Sequence, residues 1–347
     1  MSEDLKIRQG EEIEMKPKLR LSQMLAAAIV ILLAIPLSAA NNDLLKKDAS
    51  HWNDYSANDS QYKEWWYFNL YDNEKDLQMF FTYNQNKFSR SVTANAFVGN
   101  EQVSVAEKYS LLESSASTEM CDITMDNRKT FAHAWAVSPT EYRILGFGYH
   151  SENGGYIWWG LNYELIGEPW DPEVYGTDPI HWLVYMPNAK VSGIVGINGK
   201  TYKVEGKGYH DHNWGSWKFE QYPWVWMQAN DPKEEASMTL GGLLIDNKIV
   251  GGKTHFAHKD RQYDLIQSEQ IAYTYSDNRN SNKYPTQMSI TIMDRRTKTP
   301  YGISIKTDAK KTMEIPLPGI RVYEQVCDVQ VGGINGKGWC EYTTPVR

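Results

Sequence analysis

From Trp52 onwards the apolar positions fall into short runs rich in Val, Ile, Tyr, Trp and Thr, separated by clusters of Gly, Asn and Asp. The first half contains WWYFNLY (65–71), LQMFFTYN (77–84), YRILGFGYH (142–150), YIWWGLNYEL (156–165) and HWLVYMP (181–187). The second half contains WVWMQAN (224–230), MTLGGLLI (238–245), QMSITIM (287–293) and YGISIKT (301–307). Runs of this length, with β-branched and aromatic side chains, predict strands. Asn153-Gly154-Gly155, Asn198-Gly199, Asp246-Asn247 and Asn335-Gly336 suit positive φ and are expected at hairpin tips. After residue 50 only 104–113 offers a weak helical period. Many short strands predict an all-β protein of barrel or sandwich type. A β body of some 300 residues is large for a single eight-stranded barrel, so two β domains are expected. The strand-and-turn rhythm breaks after GYHDHNWGSW (208–217), which places the domains at 41–217 and 218–347.

The N-terminus follows a different pattern. Met24 to Leu37 is an uncharged run of fourteen residues, shorter than the roughly 20 needed to span a bilayer. Lys16, Lys18 and Arg20 precede it and Ser38-Ala39-Ala40 follows, the order of a secretory signal. Glu3, Asp4, Glu11, Glu12 and Glu14 make residues 1–14 a poor start for such a signal, and Met15 begins a better one. Residues 1–40 therefore read as a signal peptide, or as an uncleaved anchor giving membrane association. In either case the body is expected to be extracytoplasmic: secreted, periplasmic or at the cell surface.

Composition narrows the function. The 13 Trp, 22 Tyr and 9 Phe all lie beyond residue 40, enough apolar surface to exclude a disordered chain. A formal charge of −7, unchanged by removal of residues 1–40, with no basic block argues against a nucleic-acid partner. Three cysteines exclude multi-Cys zinc motifs; Cys327 and Cys340 could pair on neighbouring strands, leaving Cys121 as a buried small hydrophobe.

The densest polar chemistry is Gly208-Tyr209-His210-Asp211-His212-Asn213-Trp214-Gly215. On a strand, alternation puts Tyr209, Asp211 and Asn213 on one face and His210, His212 and Trp214 on the other. The HxH pair lacks the glutamate three or four residues on that a cupin metal site requires; the first is Glu220, and His255 or His258 would have to supply a third ligand. No metal or cofactor is expected. An Asp in apolar surroundings has another use: burial raises its pKa, so that it holds a proton at neutral pH and can donate it to an alkene or carbonyl. Aromatic faces such as Trp65 or Trp182 would then stabilise a carbocation. The competing reading is a buried Asp that ties down a turn.

Glu64-Trp65-Trp66-Tyr67-Phe68 and Tyr209–Gly215 resemble the signature pair of the carotenoid 1,2-hydratase (hydroxyneurosporene synthase) and AttH-like superfamily. The resemblance covers most of residues 51–347. It implies two lipocalin-like antiparallel β-barrel domains packed together, with a pocket near their junction. It also implies large apolar ligands: isoprenoids, carotenoids, polyenes or lipids. In the hydratase branch a Tyr and an Asp two apart act in catalysis, matching Tyr209 and Asp211. A His and a nearby Trp on an upstream strand also contribute; His181 and Trp182 are the nearest candidates, but they are adjacent, so alternation sends them to opposite faces. The resulting expectation is acid-type hydration or cyclisation of a C=C bond, with Asp211, Tyr209 and His181 as catalytic residues. Trp65, Trp182, His210, His212, Trp214 and Glu64 are then expected to contact ligand.

Two rival functions fit the same composition: a lipid or isoprenoid carrier without chemistry, and a glycan-binding or glycan-cleaving β protein using carboxylates such as Glu64, Glu164, Glu168 and Asp171. Trp158-Trp159 and Trp224-Val225-Trp226 read as barrel wall. Gly241-Gly242 and Gly251-Gly252 suit bulges or corners.

Overall fold

The computed structural model describes residues 43–346 apart from 150–154, 173–178, 232, 234–235, 247, 259–260, 264–270, 279–283, 295–299 and 332–333. The N-terminal segment, Asn153-Gly154, Asn247 and the side chain of His258 lie outside the described residues. No helix among the described residues is long and apolar enough to cross a membrane.

The chain opens with a short helix α1 (Asp43–Lys47), which drops Leu45 into the core. Eleven strands follow: β1 (Tyr62–Asp72), β2 (Leu77–Gln85), β3 (Arg90–Val98), β4 (Glu101–Tyr109), β5 (Ser114–Ala116), β6 (Asp122–Asp126), β7 (Phe131–Ser138), β8 (Glu141–Tyr149), β9 (Tyr156–Leu165), β10 (Ile180–Ile197) and β11 (Lys200–Ser216). They form one antiparallel sheet in the order β4-β3-β2-β1-β11-β10-β9-β8-β7-β6-β5, and β4 returns against β8 and β9, so the sheet nearly closes into a barrel.

Nine more strands build a second sheet: β12 (Trp224–Asp231), β13 (Ala236–Ile245), β14 (Lys248–His258), β15 (Arg261–Tyr263), β16 (Ile271–Asn278), β17 (Gln287–Asp294), β18 (Pro300–Leu317), β19 (Ile320–Val331) and β20 (Ile334–Pro345). Their order, β15-β14-β13-β12-β20-β19-β18-β17-β16, makes a half-barrel. The chain changes sheet between Ser216 and Trp224, and both sheets belong to one compact unit, Ala39–Arg347.

Burial explains the strand compositions. β8 and β9 bury every second residue, as strands with one face on a barrel core should. β1 departs from alternation and is buried continuously from Trp66 to Asp72. One face, with Trp66, Phe68 and Leu70, fills the first barrel; the other, with Tyr67, packs with Phe80, Phe97, Tyr209, Trp226 and Trp339 between the sheets. Polar side chains add fixed points to this junction: Asn69 donates to Gln228 Oε1 at 3.2 Å, the Tyr71 hydroxyl to Asn230 O at 2.7 Å, and Asn230 Nδ2 to Gly208 O at 3.0 Å. Buried amides paired in this way fix the approach of the two sheets, because breaking one strands a desolvated group.

The β10–β11 hairpin turns on Asn198 and Gly199, both at positive φ, as expected, and Asp246 also has positive φ. Asn335-Gly336 corrects the turn reading: it lies inside β20, opposite Gln330 and Val329. The weak helical period at 104–113 also gives way, to β4 and a single 3-10 turn at Leu111–Glu113, because pairing with β3 satisfies the backbone there. Gly242 sits in a bulge, where the β13–β14 register shifts between Gly241 and Leu243. Cys121, Cys327 and Cys340 are all buried free thiols; Cys327 on β19 and Cys340 on β20 are diagonal neighbours whose thiols touch without a disulfide.

Candidate active site

The two sequence motifs are hydrogen-bonded neighbours. β1 pairs antiparallel with β11, setting Glu64 opposite Trp214, Trp65 opposite Asn213, Trp66 opposite His212, Tyr67 opposite Asp211 and Phe68 opposite His210. Strand alternation then divides the motif residues between two environments.

The barrel-facing side is a closed network. His210 stacks on Phe68 at 3.9 Å, and its ring nitrogens meet Tyr67 O at 2.9 Å and Asp48 Oδ2 at 3.1 Å. The Tyr142 hydroxyl donates to the same Asp48 oxygen at 2.7 Å. His212 stacks on Trp66 at 4.5 Å and bonds Glu64 Oε1 through Nε2 at 2.8 Å, while its Nδ1 lies 3.4 Å from Asp48 Oδ1. Tyr62, Gln85 and the His51 amide also donate to Glu64. Burial disfavours all these charges, but the partners outweigh it: His210 and His212 hold Asp48 down to about 2, and Asp48 and Glu64 hold His212 up to about 9. Asp48, Cys121 and His210 each bring a ligand-type atom within 4.8 Å of the others. Yet Asp48 Oδ2 already accepts two hydrogen bonds, and burial pushes the Cys121 thiol well up, away from the thiolate a metal needs. The group fits an internal ion-pair network better than a metal centre. His255, the third ligand an HxH metal site would need, stacks instead on Trp170 at 5.1 Å, and burial pushes it down to about 4.

The other side of β11 faces a cavity of about 270 Å³ between the sheets. Trp65, Tyr67, Trp182, Trp217, Trp224 and Trp226 wall it, Asp211, Asn213 and Glu341 supply polar groups, and the exposed Val250 and Gly251 stand at its rim. Asp211 Oδ2 accepts from Trp182 Nε1 at 2.9 Å and from the Tyr209 hydroxyl at 2.8 Å; Oδ1 accepts from Asn213 at 3.1 Å. Burial, partly countered by these donors, raises Asp211 to about 7. Trp182 reaches this position because residue 241 is glycine, where a Cβ would lie 2.9 Å from the indole ring.

Tyr209, Asp211, Trp182 and Trp65 therefore converge on one site, with Tyr209 behind Asp211. His181 does not join them: it pairs with Trp214 and stacks on that ring at 5.1 Å, on the face opposite Trp182. Glu64, His210, His212 and Trp214 are likewise not among the cavity-lining residues, since alternation directs them into the barrel network. Trp224 and Trp226, read as barrel wall, line the cavity; β12 lies at the junction, so one of its faces meets the first sheet. Sequence reading also missed Tyr67, Glu324 and Glu341. The only hint was a lone glutamate inside each apolar run, VYEQV and WCEYT.

A family model described as "Domain of unknown function (DUF7064)" matches residues 187–346. No curated protein matches the sequence significantly. Solved structures of similar fold include the following three. An AttH candidate from Nitrosomonas europaea has 14% identity and a TM-score of 0.62, covering 90% of this chain and 99% of its own. CghA, crystallised with Sch210972, has 11% identity and a TM-score of 0.55, covering 82% and 89%. Kievitone hydratase from Nectria haematococca has 11% identity and a TM-score of 0.54, covering 83% and 90%. The chain shares their double lipocalin-like fold. At these identities the likeness establishes architecture alone.

Proposed function

We propose that the cavity binds a large apolar ligand of isoprenoid, carotenoid or lipid type and protonates one of its double bonds, leading to hydration or cyclisation. One observation carries this reading: Asp211, held up to about 7, is gripped by Trp182 and Tyr209 inside an aromatic-walled cavity. A carboxyl that keeps its proton near neutral pH is a competent general acid. Oδ2 accepts from two donors and Oδ1 from Asn213 alone, so Oδ1 is the oxygen with room to carry and deliver the proton. The indole faces of Trp65, Trp182, Trp224 and Trp226 then stabilise the tertiary cation through their quadrupoles. Tyr209 and Trp182 fix the carboxyl, and His181 takes no part. One neighbour of the same fold is named a hydratase, in keeping with this chemistry. Export is part of the proposal and rests on residues 16–40; N-terminal sequencing of the purified protein tests it.

The chemistry is tested with geranylgeraniol in D2O. Wild-type protein adds deuterium and a hydroxyl, or deuterium with ring closure, across the terminal alkene, while Asp211→Asn loses at least about 100-fold in rate. Equal turnover by Asp211→Asn sinks the acid role. An apolar lining also suits a carrier: recovery of the probe unchanged from wild type, still bound in native mass spectrometry, favours that reading.

A further inference from the structure

The cavity contains a second carboxyl centre on the other sheet. Glu324 on β19 and Glu341 on β20 lie directly opposite in the antiparallel register, which puts both side chains on one face at close range. They hydrogen-bond to each other, which requires a proton on one of them. Glu324 is fully buried and accepts from the Tyr67 hydroxyl at 2.8 Å; Glu341 lines the cavity and accepts from Trp224 Nε1. Burial pushes both up, and Glu324 is sealed away from the cavity that Glu341 lines, so the deep partner keeps the proton and donates it to the cavity-facing carboxylate. Two like charges at this range in a desolvated junction would repel strongly, and a single shared proton removes that cost.

We propose that Glu341, backed by protonated Glu324, is the general base of this cavity, working opposite Asp211 as the acid. The proposal rests on the reading of Asp211 given above. In the hydration, the alkene π pair forms a C–H bond with the Asp211 proton, and the O–H bonding pair stays on the carboxylate. A water lone pair forms the C–O bond at the tertiary cation, and Glu341 takes the proton that this water releases. One proton then returns from Glu341 to Asp211 through cavity water, so the cycle consumes only alkene and water. In a cyclisation the same carboxylate takes the proton from the carbon beside the final cation. Glu341 is suited to this because Tyr67, paired opposite Asp211, ties Glu324 in place, and Trp226, paired opposite Glu341, forms the wall beside both carboxyls.

The groups that set the charge around Glu341 are Glu324 on β19, Tyr67 on β1, Asp211 on β11 and Lys253 on β14, which shares the cavity. The test uses geranylgeraniol in D2O across a pH series. Wild type should give a bell-shaped rate profile, with Asp211 ionisation causing the alkaline fall and Glu341 protonation the acid fall. Glu341→Gln should lower kcat by about 100-fold, leave KM within a few-fold and abolish the acid limb. An unchanged kcat and acid limb in Glu341→Gln, with Asp211→Asn inactive, overturns the base role alone. A wild type that leaves the probe untouched overturns both readings. Infrared spectroscopy of unliganded Asp211→Asn protein tests the pair itself: one protonated-carboxyl band is expected at neutral pH, lost on adding Glu324→Gln. No band in the first protein, or a band that survives in the second, also overturns the proposal.

Discussion

The two faces of β11 carry the same kinds of residue and do opposite things. On the barrel side, Asp48 and Glu64 meet His210 and His212, and charge pairing keeps the carboxylates ionised and His212 protonated. On the junction side, Asp211 is equally buried but meets only neutral donors, Trp182, Tyr209 and Asn213, and so keeps its proton to about 7. Burial acts in one direction on both carboxylates; the partner decides the outcome. A paired carboxylate holds structure together, whereas one left with neutral donors beside a cavity retains a transferable proton.

Substitutions sharpen this contrast. The largest effect is expected for Asp211→Asn, a loss of at least about 100-fold in turnover of an isoprenoid alkene, with the folded state intact by circular dichroism. On the other face, Asp48→Asn or His212→Leu should cost about 3–5 kcal/mol in urea unfolding, because each leaves a buried charge without its counterpart. A barrel face that tolerates either change within about 1 kcal/mol would mean that its ion-pair network does not hold the fold together.

The pH dependence of stability separates the faces further. His212 has a folded pKa above its ordinary 6.5, so its contribution is complete below 6.5 and is lost as pH rises through about 9. Asp48 has a folded pKa below its ordinary 3.8, so its contribution is complete above 3.8 and is lost as pH falls through about 2. Asp211 behaves in the opposite sense to Asp48: raised from 3.8 to about 7, it costs nothing below 3.8, and its penalty on folding grows as pH rises from 3.8 and is complete above about 7. Asp211→Asn should therefore be more stable than wild type at pH 8, by roughly 1–3 kcal/mol, a trade of stability against activity. Thermal melts at pH 5 and pH 8 check the sign.

Smaller effects come from the groups that hold Asp211. Gly241→Ala puts a Cβ 2.9 Å from the Trp182 ring, so the indole must shift and its bond to Asp211 lengthen; turnover should fall about 10-fold with little change in stability. Tyr209→Phe removes a donor that favours the ionised carboxylate, so the alkaline limb of the rate profile should move up by up to about one pH unit. A limb that stays in place would show that the Tyr209 hydroxyl does not tune Asp211.

Local pattern determines much of this by itself. Period-two burial in runs such as YRILGFGYH and YIWWGLNYEL is a property of each strand alone, and so is the positive φ of Asn198-Gly199. The division of Tyr209, Asp211 and Asn213 from His210, His212 and Trp214 follows from the same alternation, and it also parts His181 from Trp182. Which of these two meets Asp211 was not legible, because that depends on the register of β10 against β11 and on a glycine in β13.

The sequence by itself settled the strand-forming segments and which motif residues share a face, since both depend on neighbours a few positions away. Only the tertiary structure decided which face became a sealed ion-pair network and which became a cavity. It brought Asp48 to His210 across 162 positions and Tyr67 to Glu324 across 257, and it set Glu324 against Glu341. A carboxyl's protonation is governed by the charges and solvent within a few ångströms, and those neighbours come from strands far apart in the chain.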